Sequence, residues 1–218
     1  MTLPSRAMIV VGGGSSTRFG ADKLLADVDG LPMIAYTIDA VANHVDLCVV
    51  VCKPEAVEEI QSLRPDVTVT AGGATRTLSE MAGLAALGGE PDLIGIHDAA
   101  RPIVKGFVID RLFKLAQQYG GAFPALDPER LILDKKTHEP VTGLRRAQTP
   151  QVFRGPELMT AYVRAAQAGY DGQDTVEIVQ RFGDTTVAAL PGDPANVKVT
   201  YPDDLEAVRD DIRGRSRI

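Results

Sequence analysis

Met8-Ile9-Val10-Val11-Gly12-Gly13-Gly14-Ser15-Ser16-Thr17-Arg18-Phe19-Gly20-Ala21-Asp22-Lys23 decides how the rest of this 218-residue chain is read. An apolar, β-prone run passes directly into three glycines and three small hydroxyl residues, and the stretch then delivers Arg18 and Lys23. Without Cβ atoms at Gly12, Gly13 and Gly14, and with Ser15 next in line, the backbone N–H groups turn inward on a ligand and the two cations meet its negative charge from the side. The stretch reads as an anion cradle after a first strand, with a plain glycine-rich turn as the simpler alternative. It matches neither the G-x-G-x-x-G fingerprint nor the P-loop, because no Lys-Ser/Thr pair follows the glycines. A phosphate held here is held in another way.

Outward from this stretch, apolar β-prone runs alternate with helix-period segments, the signature of an α/β architecture in which helices cover both faces of a parallel sheet. Strands are expected at about residues 7–11, 46–52, 67–70, 93–96, 121–126 and 185–190, with Lys23 to Val28 extended and a short late strand over Asn196 to Thr200. Pro32 opens a helix that places Met33, Ile34, Ile38 and Val41 on one face. The helix from Gly106 to Gly120 turns Val108, Leu112 and Leu115 inward. A helix from Pro156 to about Ala168 and another beginning after Asp174 follow the same logic, Asp174 or Thr175 serving as the N-cap.

Two further loops carry chemistry. Gly72-Gly73-Ala74-Thr75-Arg76-Thr77-Leu78-Ser79 repeats the order strand, glycine, arginine, helix. Two such loops at the ends of neighbouring parallel strands close on opposite sides of one ligand at the switch point of an open sheet. The apolar strand Leu93 to Ile96 ends in His97-Asp98-Ala99-Ala100-Arg101-Pro102. An aspartate at that edge suits a metal-bound triphosphate or a sugar hydroxyl, and Arg101 suits a phosphate; a charge pair that merely ends the strand is the plainer alternative. His97 reads as a packed, hydrogen-bonded residue rather than a catalyst, and Lys198 on pattern alone as a surface lysine.

From Asp127 to Arg146 the chain changes character. Leu131-Ile132-Leu133 and Pro140-Val141 flank the turn-like Asp134-Lys135-Lys136-Thr137-His138-Glu139, which reads as a β-hairpin arm. Its apolar residues are exposed in a monomer, so residues 127–146 are expected to pack on a second copy of the chain.

Composition narrows the partners. With 44% hydrophobic and 24% charged residues the chain is an ordinary globular sequence, and residues 1–218 read as a single domain. A net charge of -6 argues against sequence-independent nucleic-acid binding. Cys48 and Cys52 share one strand face roughly 13 Å apart, beyond disulfide reach, and read as buried hydrophobes. The histidines at 44, 97 and 138 are scattered, so no metal-ligand cluster is expected. No leader and no bilayer-length apolar segment is read, and a cytoplasmic location with no membrane partner is the expectation.

Five motifs occur in one order: Gly-Gly-Gly-x-x-x-Arg-x-x-x-x-Lys, Gly72-Gly73-x-x-Arg-x-x-Ser, His97 to Pro102, Gln148-Thr149-Pro150-Gln151, and Asn196-Val197-Lys198-Val199-Thr200. From about residue 7 to 210 this resembles the 2-C-methyl-D-erythritol 4-phosphate cytidylyltransferase family, with ribitol 5-phosphate cytidylyltransferase as a close relative. The resemblance implies a Rossmann-like nucleotidyltransferase domain with a mostly parallel sheet and a projecting arm. It also implies transfer of CMP from CTP to a polyol phosphate with release of pyrophosphate, in isoprenoid precursor biosynthesis. Mg2+ is expected mainly on the triphosphate, with no metal site built from protein side chains. Arg18, Lys23 and Lys198 are then the catalytic cations. Gly12, Gly13, Gly14, Ser15, Gly73, Arg76, Ser79, Asp98 and Ala99 form the CTP side, and Asp98, Arg101, Thr149, Arg145 and Arg146 the acceptor side.

The chain departs from that pattern on the acceptor side. Asp127-Pro128-Glu129-Arg130 stands where the family carries Asp-Thr-x-Lys, and Val141 where it carries an arginine reaching the neighbouring subunit's acceptor. Gln173-Asp174-Thr175 replaces Thr-Asp-Asp/Glu, and Asp22 replaces a proline. Three readings stay open: cytidylyl transfer to methylerythritol phosphate, transfer to another polyol or sugar phosphate such as ribitol 5-phosphate, or a catalytically silent nucleotide-binding relative.

Overall fold

The computed structural model of the chain describes residues 3–13, 19–20, 22–128 and 132–215. Strand β1 (Arg6–Val11) is apolar throughout because both its faces are covered: Met8 and Val10 enter one core cluster, Ala7, Ile9 and Val11 the other. A two-residue ladder joins β2 (Asp27–Val28) to β3 (Leu31–Pro32). Helix α1 (Met33–Ala42) buries the four expected apolar residues. Strand β4 (Leu47–Cys52), helix α2 (Val57–Leu63), strand β5 (Thr68–Ala71), helix α3 (Arg76–Ala86) and strand β6 (Leu93–Asp98) continue the alternation. Next come α4 (Gly106–Tyr119), β7 (Gly120–Leu126), β8 (Arg146–Ala147), β9 (Gln151–Arg154), α5 (Gly155–Gln167), α6 (Thr175–Phe182), β10 (Thr186–Pro191) and α7 (Pro202–Arg215).

The main sheet runs β10-β7-β9-β6-β1-β4-β5, with β8 added on β7. It is mostly parallel; β9 runs against both β6 and β7. Residues of α1, α2, α4 and α7 share one core cluster, and residues of α3, α5 and α6 share the other, so the sheet is covered on both faces. The period of two inside β4 puts Cys52 with the first cluster, and Cys48 packs against it, the same face as expected. Both thiols are free, and burial pushes them up to about 12 and about 11. No helix among the described residues is long and apolar enough to cross a membrane.

Three local expectations change. Residues 22–26 turn rather than extend, because the Asp22 carboxylate accepts from the Leu24 N–H at 3.1 Å and its carbonyl from the Leu25 N–H. Residues 196–200 form no strand: the segment crosses the sheet's end, the Val199 N–H donating to the Ala100 carbonyl at 2.9 Å, and Asp204 caps Thr200 and Tyr201. In α4 the buried positions are Ile109, Leu112, Phe113 and Ala116, so the inner face is rotated from the expected Val108 and Leu115, which are partly exposed. Within 132–141 the hairpin is a minimal one: Leu133 bridges Pro140, and the Asp134 carboxylate accepts from the N–H groups of Lys136 and Thr137 at the tip. Leu131 lies outside the described residues; Ile132, Leu133, Val141 and Leu144 are exposed.

Candidate active site

Strand order places the site. The chain passes from β1 to β4 and β5 on one side, then crosses back to β6 on the other side of β1, so the loops after β1 and β6 diverge. Between them opens a cleft of about 370 Å³ walled by Gly12, Gly13, Lys23, the loop Ala74 to Arg76, Ser79, Asp98, Ala100, Gln173 and Lys198. A hollow of equal volume at the opposite end of the sheet includes Arg154 and Arg164. Those arginines already donate to the carbonyls of Gln117 and Phe182, at 2.8 and 2.9 Å. The first cleft gathers residues that the sequence singled out.

The glycines are needed by the protein's own packing. A Cβ on Gly12 would sit 2.4 Å from Leu24 Cδ1 and 3.0 Å from the Ala99 Cβ, and one on Gly13 would sit 2.8 Å from Ser79 Oγ. The loop after β1 thus lies directly on the β6 loop and on α3, which brings its backbone to the cleft floor. Ser79 Oγ in turn donates to the Thr75 carbonyl at 2.8 Å and accepts from the Gly73 N–H at 3.2 Å, which shapes the second glycine loop.

Asp98 is the electrostatic centre. Arg76 Nη1 lies 2.7 Å from its Oδ1, while Arg101 Nε and Lys198 Nζ lie 3.0 and 3.1 Å from its Oδ2. Burial pushes this carboxyl up, but the charges of Arg76, Lys198 and Arg101 outweigh that and hold it well below the usual carboxylate range. One buried anion therefore gathers three cations beside the cleft, one of which, Arg76, is also paired with Glu80. Lys23 donates to the Val199 carbonyl at 3.0 Å, tying the segment after the first glycine loop to the 196–200 segment that carries Lys198.

Behind Asp98 a buried relay fixes the loop. The Asp98 N–H donates to Thr149 Oγ1 at 3.0 Å, and that hydroxyl lies 3.0 Å from His97 Nδ1. His97 Nε2 lies 3.1 Å from the Arg101 carbonyl. These partners assign the neutral tautomer with the proton on Nε2, donating to Arg101 and leaving Nδ1 to accept from Thr149. Burial lowers His97 to about 4, consistent with a neutral structural ring.

Residues 6–210 match the sequence profile of the 2-C-methyl-D-erythritol 4-phosphate cytidylyltransferase family. The chain belongs to this family. It is 33% identical over 214 residues to the Carboxydothermus hydrogenoformans 2-C-methyl-D-erythritol 4-phosphate cytidylyltransferase, covering 91% of each chain. A solved 2-C-methyl-D-erythritol 4-phosphate cytidylyltransferase from Thermus thermophilus superposes with a TM-score of 0.79 at 25% identity, over 97% of this chain and 100% of that one. The 4-diphosphocytidyl-2C-methyl-D-erythritol synthase of Anaerococcus prevotii, 20% identical, shares the fold with a TM-score of 0.84 over 96% and 99% of the two chains.

For this cytidylyltransferase-family chain the cleft collects Gly12, Gly13, Lys23, Arg76, Ser79, Asp98 and Lys198 from the residues expected by sequence, with Gly73 beside it through Ser79. Gly14, Ser15 and Arg18 lie outside the described residues. Ala99 lies beneath the glycine loop, fully buried, its N–H donating to the Val11 carbonyl; Ala100 lines the cleft in its place. Thr149 is buried in the His97 relay rather than lining a cavity wall. Arg101 is bonded to Asp98 and, through Nη1, to the Asn196 carbonyl at 2.9 Å. It also lines a second hollow of about 430 Å³ with Arg146, Gln148, Asn196 and Lys198, joined to the cleft through Lys198. Arg145 is instead 57% exposed and 3.4 Å from Asp127. Sequence reasoning missed Gln173 in the cleft wall and the buried Glu80 behind it. Glu80 had a signal: at i+4 from Arg76 and i-4 from Leu84 it stands on the inward stripe of α3.

Proposed function

We propose that this protein transfers CMP from CTP to a polyol phosphate, 2-C-methyl-D-erythritol 4-phosphate, releasing pyrophosphate. The observation that carries the reading is the pair of adjoining hollows sharing Lys198: one lined by the glycine loops, Lys23 and Arg76, the other by Arg101 and Arg146. A triphosphate in the first and a phosphate monoester in the second put two anionic groups on either side of one cation. The nucleophile is a phosphate oxygen, largely ionised near neutral pH, so attack on the α-phosphorus needs no general base. The neutral, enclosed His97 has no such part to play. Catalysis rests on in-line positioning and on cations aimed at the charge that grows on the five-coordinate phosphorus, Lys23 and Lys198 with Arg18 from the glycine stretch.

Mg2+ belongs to the proposal as a charge-neutralising partner of the triphosphate oxygens. The reading that the triphosphate rather than protein side chains holds it is supported by Asp98 being already paired with three cations. We further propose a cytoplasmic homodimer formed through residues 127–146, supported by the exposed apolar residues of the arm. Arg146 rather than Arg145 stands at the acceptor hollow and takes the role left open by Val141.

The test is pyrophosphate release with each of the four nucleoside triphosphates against a panel of polyol phosphates that includes ribitol 5-phosphate. CTP with methylerythritol phosphate should be the best pair, from a protein of dimeric mass at micromolar concentration. Release with a different acceptor moves the substrate assignment, and CTP binding without release from any pair makes the chain a silent relative. A monomeric mass removes the arm's role.

A further inference from the structure

Glu80 is fully buried on α3, directly behind the nucleotide wall, and no step of the transfer reaction uses it. Its Oε1 lies 2.9 Å from Arg76 Nε and accepts from Thr175 Oγ1 at 3.0 Å; its Oε2 accepts from the Tyr162 hydroxyl at 2.5 Å. Arg76 is thereby held between two carboxylates, Glu80 behind and Asp98 in front. Thr175 is the first residue of α6, so the same glutamate anchors the loop that carries Gln173 into the cleft. A second bond between these elements runs from the Gly172 N–H to Thr77 Oγ1, 2.9 Å.

We propose that Glu80 is a positioning residue for nucleotide binding, setting the Arg76 guanidinium and the Gln173 loop at the distance the nucleotide needs. The physical grounds are cost and geometry. A fully enclosed carboxylate is expensive to bury unless it is paired and hydrogen-bonded, and here Tyr162 and Thr175 donate to it and Arg76 supplies positive charge. Burial, with a smaller push from the Asp98 charge, raises the Glu80 carboxyl above its ordinary value despite the opposing pull of Arg76, Tyr162 and Thr175, so the pairing is what sustains its charge. Arg76 is held charged: burial lowers it, but Asp98 and Glu80 outweigh that. An arginine with five donors and a long stem loses its orientation when one of two flanking carboxylates is removed. Tyr162 extends the arrangement to α5, so the packing of that helix and the nucleotide wall meet at one carboxylate, hydrogen-bonded to Tyr162 and ion-paired with Arg76.

The inference rests on the CTP reading above, and the experiment separates the two. CTP affinity by calorimetry and steady-state kinetics are measured for the wild type, Glu80→Gln, Arg76→Ala and the double variant, with thermal unfolding alongside. Glu80→Gln should raise the Kd and KM for CTP on the order of tenfold with kcat changed far less, about the size of one partly buried charge contact. In the Arg76→Ala background the same change should add less than it does in the wild type, leaving only the part carried through Thr175 and the Gln173 loop. Wild-type CTP affinity in Glu80→Gln, or full additivity in the double variant, overturns the proposal. A wild type that binds CTP but releases no pyrophosphate sinks the transfer reading while the affinity comparison still decides Glu80; a wild type that binds no CTP overturns both. If Glu80→Gln fails to fold, Tyr162→Phe removes one donor to the same carboxylate and should raise the CTP Kd by a smaller factor; no rise overturns the proposal.

Discussion

The nucleotide side of the site and the 127–146 arm differ in how their charges are held. Around Asp98, four charged side chains from three separate stretches meet within about hydrogen-bond distance, and the aspartate is 4% exposed. In the arm, charge is local: Asp134 caps its own turn, and Arg145 faces Asp127 with both side chains in water. Burial makes the first network stiff and electrostatically strong, since a low local dielectric strengthens every pair and penalises every orphan. The arm has few internal constraints, one bridge and a handful of turn bonds among its described residues. A stiff cleft wall and a loosely held arm follow from that contrast, and each has its own way to fail.

The largest effect strikes the relay under the nucleotide side. His97 falls to about 4 in the folded protein from an ordinary 6.5 because it is buried, so the unfolded chain takes up the proton first. Its contribution is fully present above about pH 6.5 and is lost as pH falls toward 4, roughly 3 kcal/mol across that window. Urea denaturation followed from pH 7 to 4 should show this, with a shallower decline in His97→Gln; identical declines would remove His97 as the titrating strut. Next in size, Lys23→Ala should lower kcat on the order of 100-fold while the KM for CTP moves much less, the pattern for a lost transition-state donor. Arg18→Ala is expected to do the same from the sequence alone. Near-normal turnover would exclude the residue from the mechanism. The smallest effect sharpens the acceptor side: Arg146→Ala should raise the acceptor KM about tenfold, with the KM for CTP unchanged and Arg145→Ala close to wild type. Equal effects from the two arginines would erase the distinction their positions draw.

Much of this was legible in the sequence because it is carried by local order. The all-apolar runs of β1, β4 and β6 signal strands buried on both faces, and Gly12 to Lys23, Gly72 to Ser79 and His97 to Pro102 fall at strand ends where parallel topology gathers loops. Asp174 caps α6 through the Val176 N–H, as its residue type suggested. Less legible was which side chain meets which. Ala99 and Thr149 sit within motifs, yet the first packs under a glycine and the second holds a histidine. Thr175, where the family carries an acid, turns out to hydrogen-bond the buried Glu80 from another helix.

Taken by itself, the order of residues determined the α/β class, the glycine and cation loops, the family and the altered acceptor motifs. Periodicity and loop chemistry act within a few residues, and so they can be read along the chain. Tertiary structure alone decided that Asp98 collects Arg76, Arg101 and Lys198, that Arg146 rather than Arg145 lines the second hollow, and that Glu80 stands behind Arg76. Those are contacts between groups up to 100 positions apart, set by strand order and burial, where the low dielectric turns a distance of about 3 Å into a functional constraint.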